Sequence, residues 1–237
     1  MQLKKRKRLK NLKHVTCLAH AMNRVCEKIR QNNIKANTFV TKMKELLTNS
    51  SKRKREFKEI CKISLPKQPV ITRWGTWLEV CYFYAENYDI ICKFINELSH
   101  KNKALSDLKV CIEDKDLKVQ LNNLLKYKLL TQSITAIQKD SLTINDQIQM
   151  INKLIQHFKS INDKACLSKL KKSLSKNTDF LLYLNQKYDP IEKYSPMTTV
   201  WVEKSFSTLK FMLTDRRLSL KTDNIEKYLF VQYNHVL

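Results

Sequence analysis

Apolar residues recur every three or four positions along much of the chain, which is the spacing of one face of an α-helix. The first stripe consists of Val15, Leu18, Met22, Val25 and Ile29, and the second of Phe39, Met43 and Leu46. The longest stripe predicts a single core helix of about six turns. Its members are Trp77, Val80, Cys81, Tyr84, Tyr88, Ile91, Ile95 and Leu98.

Three more helices are predicted in the second half of the chain. They are marked by Leu117, Leu121, Leu124 and Leu125, by Ile144, Ile148, Ile151, Ile155 and Phe158, and by Leu167, Leu170 and Leu174. Thr143 is placed to cap the second of these helices, because Asp146 follows three residues later. Pro66 and Pro69 predict an extended connector ahead of the longest stripe.

Two short apolar stripes follow the last proline of the chain. They consist of Val202, Phe206, Leu209 and Leu213, and of Ile225 and Leu229. Each predicts a helix with one apolar face, and such faces can meet a second protein chain. One reading of the sequence is therefore a helical protein–protein interaction module with no nucleic-acid role.

Glycine occurs only once in the 237 residues, at Gly75. Phosphate-binding loops, dinucleotide fingerprints and nucleophile elbows all need several glycines at fixed spacing. Tight two-residue hairpins usually need one as well. The sequence therefore excludes the usual nucleotide-binding motifs and predicts a mainly α fold.

Positive charge dominates the chain, with 45 lysines and arginines against 22 aspartates and glutamates and a formal net charge of +23. Two basic runs stand out, Lys4-Lys5-Arg6-Lys7-Arg8 and Lys52-Arg53-Lys54-Arg55. Clustered cations release condensed counterions from nucleic acid, so both runs are candidate DNA contacts or nuclear-import signals. The alternative is a solvated, mobile basic tail.

The seven cysteines include no Cys-x-x-Cys pair, and we expect reduced thiols, several of them on buried helix faces. Cys17 and His20 have the ligand types of a zinc site, but the sequence has no second ligand pair at suitable spacing. The alternative is that both residues pack at the start of a helix, and we predict no bound metal. No stretch without Asp, Glu, Lys or Arg is longer than 129–138, which is about half of what a bilayer needs, so no membrane partner is expected.

Two further positions carry candidate chemistry. Arg73 and Trp74 precede the longest stripe, and an aromatic ring beside a guanidinium can stack an unpaired base while holding a phosphate. A tryptophan that closes a helix end against the core is the alternative. Glu203 falls in the first turn of a predicted helix, where the helix dipole favours a carboxylate without any catalytic role.

Three strings in this order resemble the hAT superfamily of cut-and-paste DNA transposases. They are His-Val-Thr-Cys-Leu-Ala-His at 14–20, Thr-Arg-Trp-Gly-Thr-Trp-Leu at 72–78, and Val-Glu-Lys-Ser-Phe-Ser at 202–207 with Leu-Thr-Asp-Arg-Arg at 213–217. Their spacing also resembles that of the family, and within it the branch related to the CGG triplet repeat-binding protein.

The resemblance implies an RNase H-like catalytic fold that is split by a helical insertion and binds two Mg²⁺ ions through two aspartates and one glutamate. It implies three regions: 1–30 as a basic segment and remnant of the RNase H-like core with the Cys-x-x-His element, 31–176 as the helical insertion, and 177–237 as the dimerisation region. Cys17 and His20 match that element, Arg73 and Trp74 match the DNA-stacking pair, and Glu203 matches the catalytic glutamate.

The departure from the family decides the expected activity. Both family aspartates would precede Cys17, and residues 1–16 contain no acid. We therefore expect an inactive, transposase-derived protein in which Glu203 is vestigial. Mg²⁺ would be bound only if the missing acids were supplied elsewhere. The expected partners are DNA and a second copy of the chain, bound through the C-terminal region, and the expected location is the nucleus.

Overall fold

A computed structural model describes residues 17–48, 50–69, 75–99, 102–138 and 142–177, together with Asn224 and Lys227. These ranges contain ten α-helices and one 3-10 turn, Leu125–Tyr127, and no strand, so the mainly α prediction is confirmed for them. The helices are α1 Leu18–Asn32, α2 Ile34–Thr48, α3 Ser51–Cys61, α4 Thr76–Glu86, α5 Tyr88–Glu97, α6 Lys103–Glu113, α7 Lys115–Leu124, α8 Lys128–Ile137, α9 Ile144–Ser160 and α10 Lys164–Leu174.

The longest apolar stripe forms two helices, so the prediction of a single continuous helix was wrong. α4 and α5 meet at Asn87, whose backbone is not helical and whose side-chain amide donates to the Phe83 carbonyl oxygen at 2.9 Å. An asparagine competes in this way with the helical hydrogen bonds. The buried face continues across the break, because Tyr84 of α4 and Tyr88 of α5 are both in the core.

Polar side chains cap the N-termini of five helices. The side chains of Ser50, Asn102, Asp114, Thr143 and Asp163 accept hydrogen bonds from backbone N–H groups in the first turns of α3, α6, α7, α9 and α10. The predicted cap at Thr143 is confirmed and is a complete capping box with Asp146. These caps fix where each of the five helices begins.

The predicted apolar stripes that fall on described residues lie in or against one hydrophobic cluster that runs from Cys17 to Leu174, whereas Val15 and the two stripes after the last proline lie outside the described residues. Aromatic pairs join helices that are distant along the chain: Phe39 of α2 meets Tyr84 of α4 with ring centroids 5.2 Å apart, and Phe57 of α3 meets Phe94 of α5 at 5.1 Å. Both pairs are edge-to-face, the arrangement that ring quadrupoles favour. Trp77, predicted as a core residue, is only partly buried at the margin of this cluster.

The first and last of these helices, α1 and α10, pack closely together. Their contact faces carry small residues, among them Ala19, Cys26, Cys166 and Ser173, all of which are buried. Small side chains let two helix backbones approach closely. α10 also packs on α9, so it contacts both the first described helix and the helix that directly precedes it.

Gly75 begins α4 in the left-handed conformation, with a φ of 77°. A Cβ atom at this position would lie 3.3 Å from the Thr131 methyl carbon of α8. Both the backbone angle and the close approach of α8 therefore favour glycine here. The preceding residues 62–69 form no helix, as the extended connector predicted.

The predicted boundary between regions 1–30 and 31–176 falls inside α1, whose buried face belongs to the same hydrophobic cluster as the later helices. The RNase H-like remnant and the division into regions stay predictions. None of the described helices is both long and apolar enough to cross a membrane.

Candidate nucleic-acid interface

The basic run Lys52-Arg53-Lys54-Arg55 lies in the first two turns of α3, and its four cations differ in their contacts. Lys52 lies 3.8 Å from the Glu56 carboxylate, and the Arg53 guanidinium donates to the Leu46 carbonyl oxygen at 3.3 Å. Lys54 and Arg55 have no carboxylate partner in the part of the chain that the structure describes. These two cations are therefore free to meet an anion, whereas Arg53 ties α3 to the end of α2.

A cleft of about 180 Å³ opens between α1, α2 and the start of α4. Two cations line it: Arg30, which is paired with Glu27 at 2.7 Å, and Lys44, which donates to the Pro69 carbonyl oxygen at 3.3 Å. The indole N–H of Trp77, also in the cleft wall, is buried without a hydrogen-bond partner. Glu27 also lines the cleft and neutralises Arg30, so Lys44 is the lining cation without a carboxylate partner among the described residues.

The predicted DNA-stacking pair, Arg73 and Trp74, lies outside the described residues. Pro69 and Gly75, which bracket the segment 70–74, both line the cleft, so the described chain enters and leaves that segment at the cleft wall. Beyond Pro69, a second groove is lined by Lys54 and Lys67. Lys44 and Pro69 line both this groove and the cleft, and Lys67 is paired with Glu79 at 3.3 Å.

Most of the other predicted site residues also lie outside the described residues. They are the N-terminal run Lys4, Lys5, Arg6, Lys7 and Arg8, the vestigial Glu203, and the dimerisation residues Val202, Phe206, Leu209, Leu213, Ile225 and Leu229.

Cys17 and His20 lie at the start of α1. Cys17 is buried and precedes the first turn without capping it, and His20 is exposed on the opposite side of the helix from the core. Within the described ranges, no group of three or more histidine, cysteine, aspartate or glutamate side chains is arranged to hold a metal ion. Cys17 belongs to the hydrophobic core cluster.

Carboxylates neutralise many lysines on one side of the bundle. Lys35 of α2 lies 2.7 Å from both Asp114 and Asp116, and the hydrogen bonds of Lys35 and of the Asp116 backbone N–H hold the pKa of Asp114 below its usual value. Lys118 pairs with Asp89 and Lys42 with Asp107, so each of these two aspartates also faces a lysine.

Sequence reasoning missed a third basic surface, on α10. Its lysines are interleaved with small and apolar residues and do not form a continuous run, so a search for basic runs passes over them. The signal was nevertheless present, because the segment 147–177 holds seven lysines and one carboxylate, Asp163. We call the five that lie on or directly after α10 the α10 lysine face: Lys164, Lys169, Lys171, Lys172 and Lys176.

All seven cysteines are free, and five of them are buried, as the sequence predicted for helix-face thiols. Burial, with a contribution from Asp163, raises the pKa of Cys166 to about 12, and burial raises that of Cys61 to about 11. A thiol with such a pKa stays protonated near neutral pH and is a poor nucleophile. Cys61 and Cys166 therefore contribute to packing and are poor nucleophiles.

Comparison of the chain with protein-family models, with curated proteins and with solved structures found no match.

Proposed function

We propose that this chain binds double-stranded DNA through basic helical surfaces and is a hAT-derived module without strand-transfer activity. The observation that carries the DNA-binding part is the unneutralised positive charge on the folded surface. Arg24 of α1, Arg55 of α3, Lys153 of α9 and Lys172 of α10 have no carboxylate partner among the described residues. Phosphate groups would replace solvent and small counterions at these positions.

The order of the three motif strings supports the proposed ancestry. The absence of any acid from residues 1–16, where the family has two aspartates, supports the proposed inactivity. Glu203 would be the only one of the three metal ligands present in the chain. Phosphoryl transfer with two metal ions needs several acidic ligands that converge on both ions. Self-association through residues 177–237 is proposed from the two apolar stripes of that region.

Fluorescence anisotropy with a labelled duplex of about 25 base pairs tests DNA binding by the full chain. We expect affinity to fall steeply between about 50 and 200 mM salt, because each phosphate contact contributes about −0.9 to the slope of log affinity against log salt. Affinity that does not change with salt would exclude phosphate-driven binding. Replacing Lys54 and Arg55 by glutamine should weaken binding, and replacing the ion-paired Lys118 and Lys128 should change it less.

Nicking of supercoiled plasmid in the presence of Mg²⁺ tests the proposed inactivity. We expect no nicking above a buffer control. Nicking that disappears in the Glu203→Gln variant would show that other acids complete the metal site. A longer reading of the gene with two aspartates ahead of Cys17 would also restore the expected ligand set.

One observation favours the alternative, a protein–protein interaction module. Three large aliphatic side chains are well exposed: Ile34 by 70%, Val110 by 68% and Val119 by 57%. Ile34 directly precedes Lys35, and Val110 and Val119 lie within about one helical turn of Asp114 and Asp116, the two carboxylates that Lys35 contacts. Weak, salt-independent DNA binding together with a dimer sensitive to Val119→Asp in sedimentation would favour this function.

A further inference from the structure

The segment 147–177 concentrates positive charge without a compensating carboxylate. Its lone acid, Asp163, is already engaged, since one carboxylate oxygen accepts from the Cys166 backbone N–H at 2.9 Å and the other from the Tyr127 hydroxyl at 2.5 Å. No described carboxylate lies within 4 Å of any lysine of the α10 lysine face. Among the described residues, this positive charge therefore has no carboxylate to balance it.

The fold turns these lysines outward. The inner side of α10 is formed by Cys166, Leu170, Ser173 and Leu174, which are buried in the bundle. Four of the five lysines are exposed, and Lys169 is half-buried. The remaining exposed positions on or directly after α10 are small, namely Ala165, Ser168 and Ser175.

The stability of α10 does not by itself explain why lysines lie at both of its ends. Lys171 and Lys172 lie in the last turn of α10, where a cation is favoured by the helix dipole. Lys164 is the first residue of the same helix, where the dipole disfavours a cation. A partner with distributed negative charge accounts for lysines at both ends of the helix, whereas the dipole accounts only for those at one end.

The spacing suits a duplex. Lys164 and Lys172 are separated by about 12 Å along the helix axis at 1.5 Å per residue, a length over which B-DNA presents about seven phosphates at one charge per 1.7 Å. Among its described positions the face carries no aromatic ring to stack a base and no arginine for bidentate contact with a base edge. From this face, only lysine and serine side chains would contact a duplex, and they would contact its phosphate backbone. Such contacts give affinity without sequence selectivity.

Resting on the proposed function, we infer that the α10 lysine face is the main duplex-phosphate contact of the described bundle and binds DNA without sequence preference. It exceeds the basic run of α3 in this role because α3 carries two carboxylates of its own and uses Arg53 to bind a carbonyl oxygen. α10 itself contains no acid.

A charge-matched pair of triple variants of the full chain tests this inference. The test variant combines Lys169→Gln, Lys171→Gln and Lys172→Gln. The control combines Lys93→Gln, Lys103→Gln and Lys115→Gln, which removes the same charge from exposed lysines of α5, α6 and α7. Circular dichroism and urea unfolding establish that both variants keep the fold.

The readout is the anisotropy salt titration on two duplexes of unrelated sequence. For the test variant we expect a slope less steep by up to about 2.7, since three contacts at about 0.9 each are lost, and an affinity at least about tenfold lower near 100 mM salt. The control should keep the slope of the unaltered chain to within about 1, and both duplexes should bind alike.

The outcomes separate the inference from the proposed function. If the unaltered chain shows no salt-dependent binding, the proposed function and the inference both fail. If it binds but the two variants weaken equally, only net charge matters and the assignment to α10 is overturned. A strong preference for one of the two duplexes would also overturn it, because backbone contacts alone cannot distinguish them.

Discussion

Asp163 is expected to hold α10, and with it the α10 lysine face, in place on the bundle. Its carboxylate caps the first turn of α10 at the Cys166 backbone N–H and also accepts from the hydroxyl of the buried Tyr127. Removing the cap with Asp163→Ala should lower the free energy of unfolding by about 1 kcal/mol. Leaving the Tyr127 hydroxyl unpaired adds about 1–3 kcal/mol. The expected total is therefore about 2–4 kcal/mol.

Urea unfolding followed by circular dichroism measures this loss. With an m-value of about 3 kcal/mol/M, a loss of about 3 kcal/mol moves the midpoint down by about 1 M. Asp163→Asn keeps a capping oxygen and should lose only about 1 kcal/mol. In a Tyr127→Phe background, Asp163→Ala should cost only the cap, because no hydroxyl is left unpaired.

The difference in unfolding free energy between the unaltered chain and Asp163→Ala depends on pH through the pKa of Asp163. Burial acts to raise this pKa, but hydrogen bonds from the Cys166 backbone N–H and the Tyr127 hydroxyl hold it below its usual value. When folding lowers the pKa of a carboxyl group, that group stabilises the fold at pH values above its pKa in the unfolded chain, which is about 3.9 for aspartate. This stabilisation is lost as the pH falls through the pKa of the group in the folded chain. The stability difference between the unaltered chain and Asp163→Ala should thus be full at pH 7 and shrink below about pH 4.

Two results would refute this reasoning. An Asp163→Ala midpoint equal to that of the unaltered chain would show that neither hydrogen bond stabilises the fold. Equal losses in the tyrosine and phenylalanine backgrounds would show that the hydroxyl contributes nothing, so that only the cap matters.

Gly75→Ala should destabilise the fold by about 1–2 kcal/mol in urea unfolding, because alanine is strained at the observed positive φ; an unchanged midpoint would contradict this. Thr143→Ala should cost about 1 kcal/mol by loss of the capping box, and Thr143→Ser should restore most of it. In native conditions a thiol reagent should modify the partly exposed Cys92 and Cys111 well before the buried Cys81. Equal rates for all three thiols would show that the helices open freely.

Local sequence features predicted part of the candidate interface. The basic run of α3 and the connector through Pro66 and Pro69 are local features, and in the structure Lys54 and the connector line one groove together. Which cations remain unneutralised is not a local feature. Lys35 meets Asp114 and Asp116, which lie about eighty residues further along the chain, so its neutralisation depends on how α2 packs against α6 and α7.

The sequence by itself determined the helical class, the buried faces and the cap at Thr143, because apolar spacing and capping act within a few residues. It did not reveal the break at Asn87, since the buried face continues from α4 into α5 and the apolar period is unchanged. Only the tertiary structure decided which lysines meet a carboxylate and which face solvent. The reason is that an ion pair forms where packed helices bring distant residues within about 4 Å, a condition that no local spacing encodes.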